Sequence, residues 1–260
     1  MGTATNIILF CNGKEASQLI EKLALSDKTN ITALVLNAQK KQRASHLILE
    51  TAKKNKISEI FTFDAHVGQN LAKLCKDKNV SHGVSFLFGH KIDTSTLDLF
   101  HKGILNFHPS FLPFGRGAHP AFWAIMEGTK FGVSCHEIDE NLDKGQLIAQ
   151  KEIPIDEIDT GGTLYTKAMD GLLNLATETI PEWLQGKLSL SQYTLDGNYH
   201  ATEELQKLTS INLKQQVNVG EFLSFLKART FSVTDGPMYW KNGKRYVVSV
   251  QVKEVEDENC

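Results

Sequence analysis

The chain has 260 residues, of which 41% are hydrophobic, and its formal net charge is -2. That length supports one large domain, or one large and one small. Charge this close to balance argues against nucleic acid or an anionic membrane as the main partner.

In chain order, "NIILF" (6–10) reads as a buried strand and "EASQLIEKLAL" after it as a helix. "ITALVL" (31–36) is the next strand and "RASHLILETAKKN" the next helix. "EIFTF", "VGQNLAKLCKDK" and "HGVSFLF" continue the alternation. Short apolar runs separated by helices indicate βαβ units and a mostly parallel sheet, a Rossmann-like α/β fold. Such sheets bind ligands outside the carboxyl ends of their strands. The informative loops should therefore follow Phe10, Leu36, Phe86 and Leu105.

"GILNF" (103–107) is a further strand, and a helix starts near Pro120. "FGVSCHEID" and "QLIAQKEIPI" both alternate and read as a strand pair joined by "ENLDKG". "GGTLYTKAMDGLLNLATETIPEWLQG" is a long amphipathic helix ended by Gly186. Beyond it the texture changes. "LSLSQYTLDGNYHATEEL" is polar and turn-rich, "VGEFLSFLKART" is a short helix, and "MYWKNGKRYVVSVQV" is a hairpin turning at Asn242-Gly243. The division expected is a catalytic domain over 1–187 and a small C-terminal arm over 188–260.

No apolar run reaches transmembrane length. The start, "MGTATNIILFCNGK", lacks the basic segment and cleavage site of a secretory signal. Cys11, Cys75, Cys135 and Cys260 form no CxxC pair, which suits reduced thiols in a cytoplasmic protein. The nine histidines show no ligand spacing, so no metal is expected. His136 lies on an alternating strand, where a structural role is expected. The basic run "QKKQR" (39–43) reads as a solvated helix end.

The stretch "NFHPSFLPFGRG" (106–117) cannot stay helical. In an extended segment Asn106 and His108, at i and i+2, point to one side, and Pro109 biases His108 away from helix. Asp143, in "DENLDKGQ", supplies a third group. An amide, an imidazole and a carboxylate suit addition to a carbonyl: two stabilise an oxyanion, and the third orients the imidazole or relays a proton. No Ser or Cys nucleophile stands beside them, so an incoming amine would attack directly. Each residue also has a plain reading, as turn residue or satisfied strand-end polar group. The residues by themselves leave both open.

The pattern "NFHPSFLP-x-x-RG-x-x-P", followed by "G-x-x-x-H-x-I-D-x-x-x-D-x-G-x-L-I", resembles the folate-dependent formyltransferase family. The likeness is tightest over 85–155. It implies catalytic roles for Asn106, His108 and Asp143 in formyl transfer from 10-formyltetrahydrofolate to an amine, through a tetrahedral intermediate. It also implies that the folate meets backbone groups at Phe86, Leu87 and Phe88 and at Glu140, Asn141 and Leu142. Phe86 and Phe88 also suit a plain place in the strand core. Phe107 and Phe111 stand where the family often has small or aliphatic residues, which would reshape the pocket.

Three amines compete within that family. From Leu188 onward there are eight Lys/Arg against nine Asp/Glu, unlike a domain that holds tRNA. The turn "CNGKEAS" departs from the phosphate-gripping turn of the glycinamide ribonucleotide enzyme, although Asn12 and Lys14 are placed to meet a phosphate. "GNYHATEELQKLTSINL" and "FLKARTFSVTDGPMYWKNGKRYVVSV" resemble the C-terminal segment of nucleotide-sugar N-formyltransferases. That likeness implies a dTDP-3-amino- or dTDP-4-amino-dideoxyhexose as substrate, destined for a surface polysaccharide such as a lipopolysaccharide O-antigen. Arg116, Gly117, Tyr199, His200, Arg229 and Phe231 would border it, and the arm would form a homodimer. Glycinamide ribonucleotide and methionyl-tRNA remain alternative amines. A binding module without catalysis is the alternative of a different class.

Overall fold

The computed structural model describes residues 4–139, 145–189, 191 and 196–255. In chain order the first elements are β1 (Thr5–Cys11), α1 (Lys14–Ala24), β2 (Thr29–Leu36), α2 (Ser45–Lys54), β3 (Glu59–Thr62), α3 (Val67–Lys78), β4 (His82–Phe86), α4 (Thr94–Leu97) and β5 (Ile104–His108). Then come β6 (Arg116–Gly117), α5 (Pro120–Glu127), β7 (Gly132–Glu137), β8 (Leu147–Glu152) and α6 (Gly161–Leu184). The last are β9 (Tyr199–His200), α7 (Thr202–Lys207), α8 (Val219–Arg229), β10 (Met238–Lys241) and β11 (Lys244–Val247). They form two compact units built from separated stretches: Met1–His108, Ser134–Gln150 and Leu172–Tyr193, and Pro109–Val133, Lys151–Gly171 and Thr194–Cys260.

A seven-stranded sheet runs in the order β3-β2-β1-β4-β5-β7-β8. It is the mostly parallel α/β sheet expected from the alternation of apolar runs and helices. β1 pairs in parallel with both β2 and β4, β4 pairs in parallel with β5, and β7 runs antiparallel to β5. Ile7 to Cys11 are fully buried. Burial on both faces explains why this strand reads as an unbroken apolar run rather than an alternation. In the first unit, Ile8, Phe10 and Val35 pack with Leu71 and Leu74 of α3 and with Phe100 and Ile104. Strand order reverses between β1 and β4, which opens a crevice at their carboxyl ends.

The "QKKQR" run is exposed, as read, and its lysines lie in the last turn of a short helical element. It is a short 3₁₀ turn (Gln39–Lys41) tied down by neighbours. Asn12 Oδ1 accepts from Arg43 N at 2.7 Å, and Asn12 Nδ2 donates to Lys41 O at 3.2 Å. Lys41 Nζ donates to Gly89 O at 3.1 Å, and Gly89 N donates to Asn37 Oδ1 at 3.1 Å. Asparagine amides, which can bond two backbones at once, hold the turn in place of helix periodicity.

In the second unit, Phe122 of α5, Leu205 of α7 and Ala228 of α8 share a core with Trp123 and Phe225. β10 and β11 form the hairpin read from the sequence. Asn242 at φ 51° and Gly243 at φ 70° make its turn, both in the left-handed region that Asn-Gly tolerates. The tract expected to be turn-rich contains α7 and β9. Glu204 caps α7 by accepting from Ala201 N at 2.7 Å. Among the described residues no helix is long and apolar enough to cross a membrane.

Candidate active site

β5 ends at His108, and Pro109 follows it directly. Its neighbours in register fix what surrounds Asn106. Ser85 of β4 lies beside it on one side, and His136 of β7 lies opposite it on the other. Laterally paired residues project to the same face, so the three side chains form one row across the sheet. Ser85 Oγ donates to Asn106 Oδ1 at 2.8 Å. Asn106 Nδ2 and His136 Nε2 are 3.1 Å apart, and His136 Nδ1 lies 2.9 Å from the Glu137 carbonyl oxygen.

That last contact fixes the protons. A carbonyl only accepts, so His136 Nδ1 carries hydrogen, and in the neutral imidazole Nε2 then presents a lone pair. Asn106 must then donate through Nδ2. The amide is locked in one of its two flips, with one N–H remaining on Nδ2 to serve a ligand. Ser85 is 3% exposed and His136 2%. Asn106 between them is half-buried, and two buried partners hold its amide more firmly than exposed ones would. His108, two residues along the strand and 8% exposed, pairs with Ser134 of β7.

The nearby thiols are unsuited to nucleophilic work. Burial pushes Cys11 up to about 12 and holds Cys135, opposite Phe107, well above the usual thiol value. A thiol that does not ionise is a poor nucleophile.

At the end of β4, Phe86 is fully buried and stands 6.1 Å from the Phe107 ring. Leu87 adopts φ 56°, uncommon for a residue with a branched side chain, and so redirects the backbone. Phe88 packs edge-on to Phe10 and Phe63 at 5.5 and 5.2 Å. Both phenylalanine rings thus serve the core, and the backbone of this turn is what remains for a ligand. The N–H and C=O of Phe88 bond to none of the described residues, which suits a planar ring edge of donors and acceptors. Glu140, Asn141, Leu142 and Asp143 lie outside the described residues.

The remaining candidates fall into different settings. Asn12, 5% exposed, is committed to the loop it ties down, whereas Lys14 is an exposed side chain 4.0 Å from Glu15. In the second unit Arg116 Nη2 reaches Gly197 O at 3.3 Å, Gly117 has φ 86°, and Tyr199 is 51% exposed. His200 has both ring nitrogens facing carboxylates, Glu127 at 2.8 Å and Glu204 at 2.9 Å. Arg229 Nη1 donates to Asp235 Oδ1 at 2.9 Å. Burial and the Arg229 charge together hold His119 below the ordinary imidazole value. Phe231 tilts toward Tyr165, with ring centres 6.1 Å apart. Among the described residues no group of three His, Cys, Asp or Glu could hold a metal ion.

Reading the sequence singled out Asn106 and His108 but not Ser85, and it gave His136 only a structural role. The usable signal was the pairing of β5 with both β4 and β7, because it places an acceptor and a donor on either side of one amide.

The formyl transferase family model matches residues 5–179, more than half of the chain, and the chain belongs to that family. A second model, the N-formyltransferase dimerization C-terminal domain, matches residues 204–254. A dTDP-4-amino-4,6-dideoxyglucose formyltransferase of Mycobacterium bovis is 34% identical over 126 residues, 48% of this chain and 54% of that protein. The chain thus spans about half the length of the curated relatives it matches. A methionyl-tRNA formyltransferase of a Geobacillus species is 41% identical over 107 residues, 41% of this chain and 34% of that protein. A solved 4-N formyltransferase from Francisella tularensis aligns with a TM-score of 0.81 at 19% identity, covering 98% of this chain and 100% of that one. An N-formyltransferase from Helicobacter canadensis, solved with folinic acid and dTDP-3-aminofucose, aligns at 0.63 and 19% identity over 86% of this chain and 80% of that one. At these identities the structural likeness establishes the fold.

Proposed function

We propose that this chain transfers the formyl group of 10-formyltetrahydrofolate to the amino group of a nucleotide-linked amino sugar, a dTDP-3-amino- or dTDP-4-amino-dideoxyhexose. The observation that carries the reading is the Ser85–Asn106–His136 row. It fixes an amide N–H at the carboxyl end of β5 in a chain of the formyl transferase family. When bound, the folate supplies an activated formyl group. Asn106 Nδ2–H would donate to the formyl oxygen as that oxygen gains charge, and His108 would be its second donor. The amine attacks without a protein nucleophile, consistent with thiols held protonated by burial. Asp143 would take up the proton that the amine gives away. The backbone turn at Leu87 and Phe88, with Glu140 to Leu142, would hold the pterin edge.

The sugar reading rests on the arm. Its match is to an N-formyltransferase dimerization domain, and its acidic balance does not suit a polyanion such as tRNA. Arg116, Gly117, Tyr199, Arg229 and Phe231 are proposed to border the nucleotide-sugar. For His200, whose ring nitrogens lie 2.8 and 2.9 Å from Glu127 and Glu204, a role within the protein is favoured. The buried thiols suit the reducing cytoplasm.

The test is formyl transfer from 10-formyltetrahydrofolate, followed by folate absorbance, to dTDP-3-amino- and dTDP-4-amino-dideoxyhexoses, glycinamide ribonucleotide and methionyl-tRNA. Turnover of a dTDP-amino sugar, abolished in His108→Asn with folate binding intact, is expected. Turnover of only glycinamide ribonucleotide or tRNA would refute the sugar assignment, and folate binding without turnover of any amine would refute catalysis.

A further inference from the structure

β6 and β9 are two residues each and form a parallel pair of their own. So short a ladder has little stability of its own, which makes its surroundings decisive. Arg116 N donates to Asn198 O at 3.3 Å, and Ala118 N donates to His200 O at 2.8 Å. Gly115 N donates to Asn198 Oδ1. The backbone of 115–118 is therefore bonded along one side to the arm segment that holds Asn198 and His200.

That arm segment is itself anchored by one carboxylate. Glu127, the last residue of α5, accepts from Asn198 Nδ2 on Oε2. Its other oxygen, Oε1, lies 2.8 Å from His200 Nε2. The opposite ring nitrogen of His200 lies 2.9 Å from Glu204 of α7. The imidazole is stacked on Trp123, with ring centres 3.6 Å apart and planes within 10°. Gly117 completes the fit: a Cβ there would come within 2.4 Å of His200 O.

We infer that Asn198 and His200, gripped together by Glu127, are positioning residues that set the backbone of the Arg116–Gly117 strand and so aim Arg116. This inference rests on the proposal that Arg116 and Gly117 border the amine substrate. The substrate-bordering strand is then held in place by the C-terminal arm. Asn198 uses its two amide ends in opposite directions, accepting from the strand and donating to the anchor. Removing it should loosen the strand without touching the Ser85–Asn106–His136 row.

Two measurements on the intact 260-residue chain test this. The first is amide hydrogen exchange in Asn198→Ala, with Glu127→Gln as a gentler variant that keeps an acceptor for Asn198. Exchange at Gly115, Arg116 and Ala118 should rise at least tenfold in Asn198→Ala and less in Glu127→Gln, with β5 unchanged. Unchanged exchange at 115–118 would overturn the inference, and this readout needs no turnover. If Asn198→Ala does not fold, the Glu127→Gln comparison decides on the same criterion. The second is kinetics: KM for the nucleotide-linked amine should rise about tenfold, while KM for the folate and kcat stay within about twofold. Equal rises in both KM values, or a fall in kcat alone, would refute the positioning role. A wild-type chain that formylates no nucleotide sugar would instead refute the proposed function, leaving the exchange result to decide the clamp.

Discussion

His136→Phe tests whether the locked amide of Asn106 matters. The phenyl ring keeps the shape of a side chain that is 2% exposed but removes the lone pair 3.1 Å from Asn106 Nδ2. Two effects follow. The amide N–H loses its acceptor in the row, and because Asn106 is half-buried the cost in stability is that of a net hydrogen bond, about 0.5–1.5 kcal/mol. The two flips of the amide also draw closer in energy, because Ser85 Oγ can either donate to Oδ1 or accept from Nδ2. A net hydrogen bond of about 0.5–1.5 kcal/mol corresponds to roughly a 2- to 12-fold preference for the productive flip. Once the flips are equal in energy the productive one is about half of the population, so kcat should fall, but by no more than about twofold, in His136→Phe. Asn106→Ala removes the donor itself and should cost about 10²–10³-fold, the usual loss of one oxyanion donor. The assay is steady-state formyl transfer for both variants, with folate binding measured alongside. If His136→Phe were as damaging as Asn106→Ala, His136 would act on the reacting group and not through Asn106. If it left kcat unchanged, the lock would be irrelevant.

Other predictions concern stability and assembly. Burial first, then the charges of Lys102 and His101, lower His82 to about 4, beneath an ordinary value near 6.5. The unfolded chain takes up this proton as pH falls through about 6.5, but the folded chain does so only near 4. The His82 contribution is thus complete above the higher value and lost as pH falls through the lower one. Discounted for partial exposure, the loss is about 1–2 kcal/mol. His82→Phe should flatten urea-derived stability over that window, and an unchanged slope would refute the assignment. The hairpin leaves Trp240, which shares a face with Arg245, 65% exposed, and we propose that a second copy of the arm covers this face. Trp240→Glu should weaken a dimer by at least tenfold in sedimentation equilibrium, since burying an aromatic contributes about 1.5–3 kcal/mol. A wild-type chain that is monomeric at every concentration would remove the basis for the proposal.

What the sequence disclosed and what it concealed divide along a physical line. The sheet was legible because β1, β2 and β4 are buried on both faces, so their apolar runs stand out against amphipathic helices. Asn106 and His108 were legible because Pro109 pins an extended strand end. Asn242-Gly243 was legible because few residue pairs accept two positive φ values. α7, with six residues, and β9, with two, are too short for any period to register. Ser85 and His136 were hidden for a different reason. Their roles depend on the register among three strands, and a slip of one residue would turn each side chain to the opposite face. The setting of His200 was hidden for the same reason: its position in the arm suggested a ligand contact, and no sequence pattern shows Glu127, Glu204 and Trp123 beside its ring.

The same line explains why the polarity of the proposed site has its origin in the main chain. Asn106 can present either an N–H or a carbonyl oxygen, and only the N–H suits an oxygen that gains negative charge. Its choice is set by His136, which has no fixed tautomer of its own. The tautomer is set in turn by Glu137 C=O, 2.9 Å from Nδ1. A carbonyl cannot exchange acceptor for donor by rotation, so for the neutral imidazole the sequence of dependence ends there. Ser85 reinforces the outcome but cannot determine it, since a hydroxyl donates or accepts equally well. The feature of β7 that matters for the site is accordingly a backbone group one residue beyond the side chain that faces Asn106, which no pattern of residue types could reveal.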